Sequence, residues 1–317
     1  MWNILVSEAT AFSPQAKQVL LQVGNVRWED FSREELAQQV SDTDVLWVRL
    51  RSRIDEFVLD NAPRLKVIAS PTTGLTHIDL AAAERRKIRI LSLQGERQFL
   101  RSVRGTAEHT IGLMLSLLRH IPQALEHVRG GGWNRDLFRG TELFGRTVGV
   151  IGYGRLGRIV AKYLNAFGSE VLVADPGISS SELKPPARLL SLRDVLANSE
   201  ILTVHVALNP TTRPLLGREE FKIMKPGALL VNTSRGEVLD EPALIEALES
   251  GRLAGAALDV VSAEDRYSES LLIEQARHRD NLIISPHIGG CTEESMTRTE
   301  IFLAERLRDV ISQMEIH

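Results

Sequence analysis

The chain has 317 residues, enough for about two domains, and its 43% hydrophobic and 25% charged residues are an ordinary globular balance. Its 38 basic and 41 acidic residues leave a net charge of −3, which provides no basic surface for nucleic acid or membrane. No run approaches the roughly 18 apolar residues of a membrane span. The opening MWNILVSEAT has no basic leader segment, and the lone Cys291 cannot form an internal disulfide, so a reducing, cytoplasmic setting is expected.

In the first third, four short aliphatic runs are predicted as strands: NILV (3–6), DVLWV (44–48), LKVIA (65–69) and IRIL (88–91). Helical segments lie between them, including SREELAQQV (32–40), capped by Ser32, and IDLAAAERRK (78–87). Such alternation argues for a parallel sheet covered by helices. The rhythm breaks at residues 105–129, where Ile111, Met114, Leu115 and Leu118 form an apolar stripe at helical spacing. This long helix is expected to cross between two bodies, kinked or restarted at Pro122 and ended by GGGW (130–133). A second series of strands is predicted at 147–151, 170–174, 201–206, 228–232, 255–260 and 281–285, with helices at 156–167 and 241–250. Six such strands fit a doubly wound sheet. The closing amphipathic stretch EESMTRTEIFLAERLRDVISQM is expected to fold back onto the first body, making it discontinuous.

TVGVIGYGRLGRIVAKYLNAFGSEVLVADP places Gly152, Gly154 and Gly157 directly after a strand and at a helix start. The first glycine permits the tight turn, the second lets a pyrophosphate approach the backbone, and the third lets helix and sheet pack closely. The helix N-terminus offers free N–H groups to phosphates. Asp175 ends the next strand, where a carboxylate accepts hydrogen bonds from the adenosine ribose and repels a 2′-phosphate. NAD is therefore expected in preference to NADP, although Arg155 lies in the loop itself.

Three further residues follow the carboxyl ends of strands in the same series: Arg235 in NTSRGE, Glu264 in DVVSAED and His287 in SPHIGG. Singly, each also reads as a solvated or turn residue. Together they fit hydride transfer on a 2-oxo acid. An arginine fork holds the substrate carboxylate, a histidine supplies the carbonyl proton, and a carboxylate beside the ring fixes its tautomer. Gly289 and Gly290 would let a nicotinamide sit close to the imidazole. No metal ligand set is assigned.

Over nearly the whole chain, and most densely from Thr106 to Gly290, the sequence resembles the D-isomer-specific 2-hydroxyacid dehydrogenases. The resemblance is carried by TAEHTIGLMLSLLR, by GTELFGRTVGVIGYGRLGRIVAKYLNAFGSEVLVADP, by MKPGALLVNTSRGEVLDEPALIEAL with GAALDVVSAED, and by SPHIGG. It implies an α/β fold of two doubly wound parallel-sheet domains. A Rossmann NAD-binding domain at 102–287 is inserted into a flavodoxin-like substrate domain formed by 1–101 and 288–317. It implies that Arg235 binds substrate, that Glu264 pairs with His287, and that His287 is the acid/base. It further implies cofactor contacts at Thr73, Thr106, Tyr153, Arg155, Leu156, His205, Val206, Thr233, Ser234 and Asp259. The implied partners are a small 2-hydroxy or 2-oxo acid and a second copy of the chain, reached by GGGWNRDLFRG.

The sequence departs from the family pattern in the substrate loop, SPTTGLTHID (70–79), which keeps Gly74 and Asp79. The backbone of Thr73, Gly74 and Leu75 either holds a carboxylate or forms a plain strand-to-helix turn. Arg49, Arg51 and Arg53, alternating in VRLRSR, form one basic strand face that meets substrate, or are solvated or paired with acids. Val261 and Asp265 replace a usual Phe and Pro beside Glu264. Nothing at the end of the chain resembles the regulatory domain of the long phosphoglycerate dehydrogenases. Two other readings stand beside the dehydrogenase. One is an NAD(H)-sensing interaction protein like the family's corepressor relatives, which keep the same Arg, Glu and His; the other is a phosphite oxidase.

Overall fold

The computed structural model describes residues 1–184, 186–262 and 264–315. By its internal contacts the chain divides into two compact units, one formed by Met1–Val103 together with the segment from Thr292 onward, the other by Arg104–Cys291.

The first unit alternates β1 (Trp2–Val6), α1 (Pro14–Leu21), β2 (Gly24–Trp28), α2 (Arg33–Gln39), β3 (Val45–Trp47), α3 (Glu56–Leu59), β4 (Val67–Ala69), α4 (Leu80–Arg85) and β5 (Arg89–Leu91). All pairings are parallel, in the order β2-β1-β3-β4-β5. Ser32 begins α2 with a reciprocal cap: its Oγ accepts from Glu35 N, and Glu35 Oε2 accepts from Ser32 N.

The second unit opens with α5 (Gly105–Arg119) and α6 (Ile121–Arg129). It continues through β6 (Thr147–Ile151), α7 (Arg155–Ala166), β7 (Glu170–Ala174), β8 (Arg188–Leu189), α8 (Leu192–Asn198), β9 (Ile201–Val204), α9 (Arg218–Ile223), β10 (Ala228–Asn232), α10 (Glu241–Glu249), β11 (Leu253–Leu258), α11 (Leu271–Ala276) and β12 (Leu282–Ile284). Its parallel sheet runs β12-β11-β10-β9-β6-β7-β8. The order reverses between β6 and β9, the place where a doubly wound sheet opens a crevice for ligands.

Both faces of this sheet are buried, as its near-continuous apolar strands require. Val148, Val150, Val171, Val173, Val231 and Ala257 pack with Ile111, Met114 and Leu118 of α5 and Val160 and Leu164 of α7. Leu172, Leu202, Val204, Leu230, Ala256 and Leu258 pack on the other side with Val195, Phe221, Leu244 and Leu272 of α8 to α11.

The long helix expected to join two bodies lies wholly within the second unit, because its apolar stripe belongs to that core. It is also two helices. His120 adopts a left-handed backbone with φ 52° and ends α5, and Pro122 sits in the first turn of α6. The final helix, α12 (Glu293–Glu315), packs Leu303, Leu307 and Ile311 into the first unit's core with Ile4, Val6 and Trp47. Among the described residues, no helix is long and apolar enough to cross a membrane.

Candidate active site

The phosphate loop follows β6. Gly152 has φ +89°, and a side chain at Gly157 would strike the Gly152 carbonyl oxygen at 2.0 Å, so the turn and the first helical turn of α7 fit only without them. At Gly154, by contrast, an added carbon would meet nothing within 4 Å. Gly154 is also the N-cap of α7 and gives it no side-chain cap. Asp175, after β7, accepts from Tyr153 N at 2.7 Å and Gly177 N at 2.8 Å, which fixes its carboxylate beside this turn.

After β9, the His205 carbonyl and Val206 Cγ1 lie against Gly152. His205 Nε2 meets Thr203 Oγ1 at 2.9 Å, while its Nδ1 is buried without a partner among the described residues. Burial pushes the ring down to about 4, so it is neutral. An uncapped helix start, a cradle open at Gly154, a fixed carboxylate one strand away and an orphaned ring nitrogen together fit a dinucleotide. Tyr153 differs from expectation. Its ring is buried in the core under the Arg158 guanidinium and its N–H is committed to Asp175, so it acts by holding Asp175. Leu156 packs at the edge of the same core, and burial lowers the Arg155 pKa.

The next three strands end in the groups that suit acid–base chemistry. After β10, Asn232 closes a tight turn: its Oδ1 accepts from the N and Oγ of Ser234, and its Nδ2 donates to the Arg235 carbonyl. This turn presents Arg235, whose pKa is lowered by burial against the opposing charges of Glu264 and Glu237. It still carries its charge, since a guanidinium does not deprotonate in proteins. After β11 comes Glu264, and after β12 comes His287. Glu264 Oε2 lies 2.7 Å from His287 Nδ1. That contact fixes the ring and leaves Nε2 for another partner.

His287 has φ +53°, a left-handed backbone that costs a non-glycine residue about 1–2 kcal/mol. The compensation comes from Asp259. Its carbonyl accepts from His287 N at 2.9 Å, and its carboxylate accepts from Ile288 N at 2.8 Å and Gly289 N at 2.7 Å. Ser285 Oγ donates to the same carboxylate at 2.7 Å, and His109 Nε2 stands 3.2 Å away. Burial opposes ionisation of Asp259, but donations from His109, Ser285, Gly289 and Ile288 outweigh it and keep its pKa below the usual aspartate value. Ser285, Ile288 and His109 gather on its Oδ1, and Gly289 N on its Oδ2. Asp259, expected beside the cofactor, also holds the His287 turn. Gly289 also reads differently: a side chain there would meet Asp259 Oδ2 at 2.8 Å and Thr106 Cγ2 at 3.2 Å, whereas Gly290 opens onto free space.

Sequence reading missed His109, Thr110, Asn232 and Ser285. The only cue was the position of Asn232 and Ser285 at strand ends; for the two α5 residues there was none.

In the first unit, the loop after β4 is knit by hydroxyls. Ser70 Oγ lies 2.9 Å from Thr72 Oγ1 and 3.1 Å from His77 Nε2, and Thr72 Oγ1 donates to the Gly74 carbonyl. Among the described residues, the amides of Thr73, Gly74 and Leu75 donate to no protein acceptor. The basic strand face does not form. β3 ends at Trp47, and the Glu8 carboxylate draws the backbone N–H groups of Arg49, Arg51 and Ser52 into a loop. Arg49 pairs with Glu300 and donates to the Thr10 carbonyl at 2.9 Å, and Arg51 pairs with Asp30. Arg49 therefore ties the C-terminal helix to its own unit and is not a free substrate ligand.

Comparison with known proteins agrees with this arrangement. A family model described as D-isomer specific 2-hydroxyacid dehydrogenase, NAD binding domain, matches residues 111–289. The chain is 36% identical over 314 residues to D-3-phosphoglycerate dehydrogenase of Methanocaldococcus jannaschii, covering 98% of this chain and 58% of that protein. It thus spans little more than half the length of such relatives. It is 34% identical to hydroxypyruvate reductase of Thermotoga maritima, with 88% of each chain covered. D-lactate dehydrogenase from Aquifex aeolicus, solved with NAD and lactic acid, superposes with a TM-score of 0.84 at 26% identity, covering 98% of this chain and 96% of that one. A glycine loop, an acid after the second strand, and an Arg, a Glu and a His after three successive strands recur in a matched sequence of this extent because the chain belongs to the D-isomer specific 2-hydroxyacid dehydrogenase family.

Proposed function

We propose that the chain is an NAD-dependent oxidoreductase that moves a hydride between nicotinamide and C2 of a D-2-hydroxy acid or its 2-oxo acid. The observation that carries this is the 2.7 Å contact of Glu264 with His287 Nδ1, with Arg235 on a neighbouring strand end. Bound NADH supplies the hydride. In reduction the His287 imidazolium gives the Nε2 proton to the substrate carbonyl oxygen, and in oxidation the neutral ring takes it back. Arg235 holds the substrate carboxylate through its two-donor fork, and its burial strengthens that attraction. Thr73, Gly74 and Leu75 are assigned to the substrate through their open amides. Gly152, Gly154, Arg155, Leu156 and Gly157 are assigned to the pyrophosphate, Asp175 to the adenosine ribose, His205 and Val206 to the adenine side, and Thr106, Thr233, Ser234 and Gly290 to the nicotinamide side.

Two further parts of the proposal concern setting and assembly. A cytoplasmic location suits a chain with a single, exposed cysteine. A homodimer through the second unit is supported by apolar side chains left exposed from 121 to 144, among them Leu125, Val128, Trp133, Leu137 and Phe144. A cavity of about 570 Å³ in the same unit is lined by Leu117, Ile201, Leu229 and Ile283 with Arg139 and Lys225.

The test is NADH oxidation against a panel of 2-oxo acids that includes phosphorylated and sugar-derived members, with His287→Ala as control. Wild-type turnover on at least one acid is expected, falling by about 10²–10⁴-fold in the variant. Equal rates in the two proteins would remove His287 from the mechanism. Tight NADH binding without turnover of any acid would point instead to an NAD(H) sensor.

A further inference from the structure

The two loops that carry Arg235 and His287 are held by consecutive residues of one helix. His109 and Thr110 stand on α5, a 15-residue helix whose apolar face is built into the core. His109 Nε2 lies 2.9 Å from Ser285 Oγ in the loop after β12, and Thr110 Oγ1 lies 2.8 Å from Thr233 Oγ1 in the loop after β10.

The donors can be assigned from the remaining partners. Ser285 Oγ gives its only hydrogen to Asp259 Oδ1, so towards His109 it accepts, and the His109 proton sits on Nε2. Thr110 Oγ1 gives its hydrogen to the Thr106 carbonyl at 2.7 Å, so it accepts from the Thr233 hydroxyl. Both contacts therefore have a fixed direction. The first runs from His109 through Ser285 to the carboxylate that receives the Ile288 and Gly289 amides, which is the support of the left-handed His287 backbone. Removing the imidazole would leave the Ser285 hydroxyl held by Asp259 alone, without the partner that fixes its direction. The carboxylate could then turn away from the two amides.

We infer that His109 is a positioning residue: from α5, acting through Ser285 and Asp259, it sets the position of the His287 ring relative to Arg235, while Thr110 fixes the opposite loop from the next position of the same helix. Neither residue touches a reacting atom. The inference takes His287 as the acid/base of the proposed reaction, but its structural part can be read without turnover.

The experiment compares wild type, His109→Leu and His109→Gln, since the glutamine amide reproduces a donor near Nε2. Amide hydrogen exchange by NMR reads the Ile288 and Gly289 N–H groups directly. Exchange there is expected to rise about tenfold or more in His109→Leu, with the amides of β6 and β7 unchanged, and to return towards wild type in His109→Gln. On an acid that wild type reduces, kcat should fall about 10- to 100-fold in the leucine variant while the KM for NADH stays put, with recovery in the glutamine variant. Unchanged exchange at 288 and 289 would overturn the inference. So would a uniform rise across the core, which would mean a general loss of stability. Should wild type reduce no acid on the panel, the proposed function fails, and the exchange measurement still decides whether His109 holds the 287–289 turn.

Discussion

His205 links the cofactor crevice to the acid stability of the fold. The unfolded chain takes up a proton at an ordinary histidine value of about 6.5, whereas the folded chain does so only at about 4. The folded-state value is depressed, so the stability this ring contributes is complete above about pH 6.5 and is lost as the pH falls towards 4. Its ceiling is about 3 kcal/mol. Urea unfolding at pH 7 and pH 4.5 should show wild type losing more stability than His205→Gln across that interval. Equal losses would mean that the ring is solvated. At this scale Arg235, Glu264 and His287 were legible in the sequence because each is a charged or titratable group just past a strand, in a position that an open sheet reserves for ligands. His109 and Ser285 were not. They are 176 residues apart in sequence, and neither a lone imidazole in an amphipathic helix nor a lone hydroxyl before a proline carries a periodic signal. Asp259 was legible as a position of interest, but its hold on the His287 turn was hidden, since that hold runs through backbone amides that no sequence pattern displays.

Among the elements, the close approach of two loops rests on a missing side chain. A carbon at Gly236 would stand 2.0 Å from the Val261 carbonyl carbon and 2.2 Å from the Ser262 nitrogen, both backbone atoms. Gly236→Ala must therefore move the 261–262 backbone, and Glu264 with it, while leaving the glycine loop after β6 alone. The expected result in steady-state kinetics is a kcat about 10- to 100-fold lower with a nearly unchanged KM for NADH. A wild-type kcat would show that the loop adjusts without shifting Glu264. Glu241 on α10 adds to this geometry by accepting from Ser262 N at 2.6 Å. The strand pattern was readable where both faces are buried, as in β6, β7 and β10. The missed strands, β2 with the sequence GNVRW and the two-residue β8, are two of the four sheet edges; the other two, β5 and β12, were readable from their aliphatic runs. An edge strand pairs on one side only and needs no continuous apolar run. The break between α5 and α6 was marked in the sequence by Pro122, but its form was not, because a left-handed histidine leaves no trace in the residue pattern.

At the level of the whole molecule, the exposed apolar side chains of α6 and the segment after it are the basis of the proposed dimer. Light scattering at micromolar concentration is expected to give twice the chain mass, and the pair Trp133→Asp and Leu137→Asp is expected to yield monomer. A wild-type monomer would leave those side chains without a role in assembly. The division into two parallel α/β units was legible from strand rhythm alone, and the glycine loop showed which of them takes the dinucleotide. The identity of a substrate was not legible, since SPTTGLTHID differs from the family pattern in residue types whose effect depends on a loop held by its own hydroxyls. The seat of α12 has one more consequence, for the order in which the chain is finished. Val6, Trp47 and Ala69 share a core cluster with Leu303, Leu307 and Ile311, residues that are synthesised only after the entire second unit. On the ribosome, the sheet made first must wait with one apolar face covered by α1 but not by α12 while the contiguous body behind it folds, so the first unit to be translated is the last to close.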